Sequence, residues 1–115
     1  MLFTVDPGSS SPLFEQLAAS IRGAILSGRV AVNERLPAAR DLAVALDINI
    51  HTVLRAYQEL RDEGFIELRR GRGAVVTDRA RDYSALARDI DTIVAEAKRL
   101  ELTPGAVSAM IREAW

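Results

Sequence analysis

His51, Arg55 and Gln58 recur at i, i+4 and i+7, with Thr52 beside the first. On an α-helix this spacing stacks an imidazole, a guanidinium and an amide along one face. Such a row can pair with the edges of nucleic-acid bases: Arg bidentately with guanine, Gln with adenine, and a Thr methyl against thymine. A solvated helix face often carries the same pattern, so the row alone leaves both readings open. A second cluster follows, where Arg69, Arg70 and Arg72 surround Gly71 and Gly73. Three cations at a thin glycine turn suit phosphates or a minor groove. An ordinary basic turn, kept soluble by its charge, is the alternative.

The same residues exclude other chemistries. The 115 residues contain no cysteine and one histidine, so disulfides, zinc–thiolate sites and His-pair catalysis are out of reach within one chain. Asp82, Asp89, Asp91 and Glu96 offer oxygen ligands, yet their pattern is that of a solvated helix face. There is no nucleophile–base pair and no phosphate-cradling loop, so neither a catalytic residue, a metal nor a cofactor is expected. A net charge of −1 from 15 basic and 16 acidic side chains announces no global attraction to polyanions. Residues 1–77 are balanced too, with nine of each sign. Asp41, Asp47, Glu59, Asp62 and Glu63 must then mostly face away from any phosphate. No apolar run approaches the ~18 residues of a membrane span, and no signal-peptide pattern opens the chain. A cytoplasmic protein without a membrane partner is expected.

These side chains need a scaffold, and hydrophobic periodicity outlines one. Met1 to Ser11 reads as an N-terminal arm. Ser11-Pro12 then offers a cap and a first helical residue for a helix carrying Leu13, Phe14, Leu17, Ile21, Ala24 and Ile25. Gly28 ends it, and Arg29 to Arg35 reads as a turn. A second helix from Ala38 to Leu46 would bury Leu42, Ala43 and Leu46. After Asp47-Ile48, Asn49 can cap a third helix running to Glu63, with Val53, Ala56, Tyr57 and Leu60 inward. Two β-prone runs, 65–69 and 74–77, flank the glycine turn as a hairpin. From Arg79 the pattern is helical again, and Tyr83, Leu86, Ile90, Ile93, Ala97 and Leu100 form a heptad seam widened by Ala87 and Val94. Thr103-Pro104 opens a last helix bearing Val107, Met110 and Ile111.

Three helices, a hairpin and two helices make a mostly α, α+β chain whose first four elements match a winged helix-turn-helix. The motifs Leu36-Pro37-x-x-Arg40-x-Leu42-Ala43, Thr52-Val53-x-Arg55-Ala56-Tyr57 and Gly71-x-Gly73 resemble those of the GntR family of bacterial transcription regulators. The resemblance runs from Pro12 to Val76, element by element in order. It implies a phosphate or base contact at Arg40, recognition-helix roles at Thr52 and Arg55, and a wing tip at Gly71 to Gly73. The spacing from Asn49 to Tyr57, with its arginine at Arg55, is similar to the YtrA-type subfamily. Many family members carry arginines where Ile50 and Leu54 stand, and often glycine in place of Asp47. These departures bear on which operator is read rather than on the fold.

Only 38 of the 115 residues follow Thr77, enough for two helices and too few to enclose a metabolite. A small-molecule effector would therefore find no enclosed pocket. Short tails of this kind resemble the dimerising helices of the YtrA type, and the heptad seam supports that role independently. Packing of the seam on the chain's own winged domain is the alternative. The reading is thus a DNA-binding domain at 1–78 and a two-helix dimerisation segment at 79–115. The DNA-contacting set is Arg40, Asn49, His51, Thr52, Arg55, Gln58, Arg69, Arg70, Gly71, Arg72 and Gly73. The dimerising set is Tyr83, Leu86, Ile90, Ile93, Val94, Ala97, Leu100, Val107, Met110 and Ile111. Together they imply a homodimeric, sequence-specific regulator on an inverted-repeat operator in double-stranded DNA, read as a repressor, although the sequence does not itself separate repression from activation. A winged module that binds only other proteins is the competing reading.

Overall fold

A computed structural model describes residues 3–115. Helix α1 (Leu13–Leu26) buries Leu17, Ala18, Ile21, Ala24 and Ile25. Ser11 does not cap it; Pro12 itself is the N-cap residue, and no side chain bonds the first turn there. Gln16 organises this end instead. Its Nε2 donates to the Asp6 and Ser11 carbonyls, and its Oε1 accepts from the Asp6 N–H at 2.7 Å. The arm consequently lies along α1: the Thr4 N–H donates to Ser20 Oγ, and Phe3 is only 3% exposed. Met1 and Leu2 of that arm lie outside the described residues.

Helix α2 (Ala39–Leu46) stops where Asp47 turns left-handed at φ 54°, ψ 50°, a conformation that Asp tolerates better than most residues. Leu42 and Ala43 are buried as predicted, whereas Leu46, the last helical residue, is half-buried. Helix α3 (Ile50–Asp62) starts at Asn49, whose Oδ1 accepts the His51 N–H at 2.8 Å. Val53, Ala56, Tyr57 and Leu60 face the core. Gly64, at φ 87°, ends the helix in the left-handed region that costs glycine little.

Strands β1 (Ile66–Arg69) and β2 (Gly73–Val76) pair antiparallel, Ile66 opposite Val76 and Arg69 opposite Gly73. The segment expected as a turn supplies a third, short rung. The Asn33 and Leu36 N–H groups donate to the carbonyls of Val76 and Ala74, and the Val76 N–H donates to Glu34, with Arg35 bridging Val75. Ala74, Val75 and Val76 are all buried, so the outer edge of β2 needs partners, and this backbone provides them. Thr77 Oγ1 donates to the Gly64 carbonyl at 2.6 Å and ties the hairpin's end to that of α3. Leu17, Ile21, Leu42, Val53, Leu60, Ile66, Val75 and Val76 form the fully buried centre. Among the described residues no buried side-chain polar atom lacks a partner.

Helices α4 (Ala80–Arg99) and α5 (Pro104–Ala114) follow. Contacts divide the chain into Met1–Asp82 and Tyr83–Trp115, a boundary within the first turn of α4. Glu101, at φ 60°, turns the chain out of α4, and the Leu102 N–H reaches back to the Ala97 carbonyl at 2.8 Å. Thr103 Oγ1 then accepts the Ala106 N–H, with Pro104 at the first helical position, as the sequence predicts. Neither helix buries a single residue. No helix among the described residues is long and apolar enough to cross a membrane.

Candidate nucleic-acid interface

Burial of Val53, Ala56, Tyr57 and Leu60 on one side of α3 turns the opposite side outward. His51, Arg55 and Gln58 are exposed there, and Thr52 is half-buried beside them. From His51 to Gln58 the helix rises about 10 Å, the length of roughly three stacked base pairs at about 3.4 Å each. Asp62, one turn beyond Gln58, is also exposed and shares that face by helical spacing. It is one of the five acids expected mostly to face away from phosphate. The polar row is base-compatible over its N-terminal turns and carries a like charge to phosphate at its end. Glu63 behaves as expected: Arg22 of α1 grips its carboxylate at 2.5 and 3.2 Å.

Two anchors fix α3 against its neighbours. Tyr57 donates its hydroxyl to the Pro37 carbonyl at 2.6 Å, holding the residues that lead into α2. Burial pushes the Tyr57 phenol well above its ordinary pKa, so it stays a donor. Two residues earlier, the Arg55 guanidinium lies over the Phe14 ring, 3.7 Å from its centroid. Asn49 spends its carbonyl oxygen on the helix cap, which leaves its amide N–H₂ as the group able to donate to a ligand. Arg40 is exposed on α2.

The wing turn closes through the Arg72 N–H donating to the Arg69 carbonyl at 3.0 Å, with Gly71 and Gly73 at φ 79° and 75°. A side chain at either glycine would be strained, so the tip remains thin. Its arginines are not equivalent. Arg69 is paired with Glu67 at 2.5 Å, and Arg72 donates to the Asn33 carbonyl at 3.3 Å. Arg70 is exposed and has no carboxylate within ion-pair distance among the described residues. Arg35, absent from the sequence-predicted set, joins this tip: its Nε stands 3.8 Å from where a Cβ on Gly73 would be. No local signal marked it, because only the rung along β2 brings residue 35 beside residue 73.

The winged unit thus presents one polar helix row and one cationic turn. In Tyr83–Trp115, a cleft between α4 and α5 is lined by Ile93, Ala97, Leu100, Val107, Met110 and Ile111, with few polar groups. Leu86, Ile90 and Val94 of the seam are exposed as well, and Tyr83 is half-buried.

Comparison with known proteins places these features among relatives. Residues 13–76 match the family model described as bacterial regulatory proteins, gntR family. The chain is 38% identical over 80 residues to the HTH-type transcriptional repressor YtrA of Bacillus subtilis (strain 168), covering 70% of this chain and 62% of that protein. An HTH-type transcriptional regulator of Mycobacterium tuberculosis is 33% identical over 99 residues, covering 86% of this chain and 82% of its own length. Among solved structures, YtrA from Sulfolobus acidocaldarius, a GntR-family transcription factor, superposes with a TM-score of 0.65 at 31% identity. That match covers 84% of this chain and 99% of the other.

Proposed function

The chain belongs to the GntR family of bacterial regulatory proteins, and on that footing we propose that it is a cytoplasmic, homodimeric repressor of transcription. Each protomer lays the N-terminal turns of α3 in a major groove, with Arg55, Gln58, His51 and Thr52 reading bases. Arg40, the Asn49 amide and the wing (Arg69 to Gly73) hold the flanking phosphates or minor groove. Residues 1–78 carry the DNA contacts and 79–115 the dimerisation. The two-fold makes the operator an inverted repeat, and its occupancy excludes polymerase.

The observation that carries this reading is the division of labour around α3. One side is fully committed to the core, while the other exposes a base-compatible row beside a cationic turn built on two positive-φ glycines. The dimer rests on the tail: two helices that bury none of their own apolar seam leave a face suited to a second copy of the same chain. Exposed arginines at residues 40, 55 and 70, beside the polar row of α3, favour a polyanionic partner over a protein-interaction module. A mobility shift with DNA from upstream of the protein's own gene, at two salt concentrations, tests the proposal. A discrete complex that weakens steeply with salt is expected. Equal retention of unrelated DNA, or none of either, would refute it.

A further inference from the structure

We infer that Phe14 of α1 is a positioning residue for base reading by Arg55, an inference that rests on the DNA-binding role proposed above. Arg55 is held differently from the ion-paired arginines of the winged unit. Arg22 and Arg69 point their N–H edges at carboxylates, Glu63 and Glu67, at distances down to 2.5 Å. Those edges are spent. Arg55 is held by its flat face, stacked 3.7 Å over the Phe14 centroid, and has no carboxylate within ion-pair distance among the described residues. Stacking draws on the ring's negative face and the delocalised cation, and leaves the in-plane N–H donors unused. Those donors are what a bidentate contact to guanine O6 and N7 requires.

The surroundings make the ring a fixed support. Phe14 is half-buried in the first turn of α1, while Arg55 is exposed. Leu13, Phe14, His51, Thr52 and Arg55 line one open cleft where the start of α1 meets the first half of α3. A long side chain held in that cleft has less rotamer freedom to lose on docking, so more of its contact energy appears as affinity. The ring thereby acts on DNA only through the guanidinium above it.

The test uses the full-length chain and a duplex selected by it from a random-sequence pool, with a scrambled duplex as reference. Phe14→Leu keeps apolar bulk without the ring. It is expected to weaken the selected duplex about 2- to 5-fold per half-site, hence about 4- to 25-fold with both half-sites filled. Affinity for the scrambled duplex should hardly change. Phe14→Tyr, which restores the ring, should bind like wild type, and Phe14→Leu added to Arg55→Ala should cost nothing further. Phe14→Met takes the place of Phe14→Leu if the latter melts early. Equal losses on both duplexes, failure of Phe14→Tyr to restore binding, or full additivity with Arg55→Ala would each overturn the inference. A chain that selects no sequence sinks the DNA-reading proposal itself. A chain whose selectivity depends on Arg55 but not on the ring sinks the role of Phe14 alone.

Discussion

Ile90→Asp in the full chain should dissolve the proposed dimer while leaving each protomer folded. Ile90 is 48% exposed in the single chain, so about half of its side chain remains to be covered by a partner. Covering that half contributes about 0.8–1.5 kcal/mol per side chain, half of the usual value for complete burial. A two-fold interface loses it twice, about 1.5–3 kcal/mol, and the aspartates add two carboxylates without partners at about 1–2 kcal/mol each. The total, about 4–7 kcal/mol, weakens dimerisation by roughly 10³- to 10⁵-fold. Ile90→Ala, lacking the charge, should cost only the first part, roughly 10- to 100-fold. Sedimentation velocity at micromolar concentration reads the outcome, and circular dichroism checks the helices. A wild-type chain that sediments as a monomer, or an Ile90→Asp chain that still dimerises like wild type, would refute the reasoning.

Other perturbations address the winged unit. Arg55→Ala should cost about 1–3 kcal/mol on a selected operator and relax the preference at one base position per half-site, whereas Arg70→Ala should weaken operator and random duplexes alike; fluorescence anisotropy on both duplexes distinguishes them. Tyr57→Phe removes the bond to the Pro37 carbonyl and should lower stability by about 1–2 kcal/mol in urea melts. Burial raises the Tyr57 pKa above its unfolded value, so this residue's contribution is complete below about pH 10 and falls as the pH rises beyond it; Tyr57→Phe should flatten that alkaline loss. Asp47→Gly, at φ 54°, should raise stability by about 0.5–1 kcal/mol, and Asp47→Val should lower it by about 1–2 kcal/mol, both read as shifts in Tm.

What the sequence made legible was local. The periodicity of Val53, Ala56, Tyr57 and Leu60 oriented α3, and with it the outward row, because a helix face follows from spacing alone. Asn49 and Thr103 capped as their types and positions indicated. What stayed hidden depended on partners distant in sequence. Gln16 displaced Ser11 as organiser of the first turn because it could reach both Asp6 and Ser11. The rung at Arg35 exists only because β2 folds back on it, and Arg35 thereby joined the wing tip. The stacking of Arg55 on Phe14 links residues on two helices whose angle no periodicity encodes.

In the proposed complex, α3 and the wing hold specific DNA through a few cations on a protein of net charge −1. The direct measurement is a titration of affinity against salt, on a selected inverted-repeat duplex and on its scramble. With about three to five phosphate contacts per protomer, log affinity should fall with log salt at a slope of about −5 to −9. The selected duplex should stay tighter by about 10³-fold or more throughout. A slope near zero, or equal affinity for the two duplexes, would contradict the account.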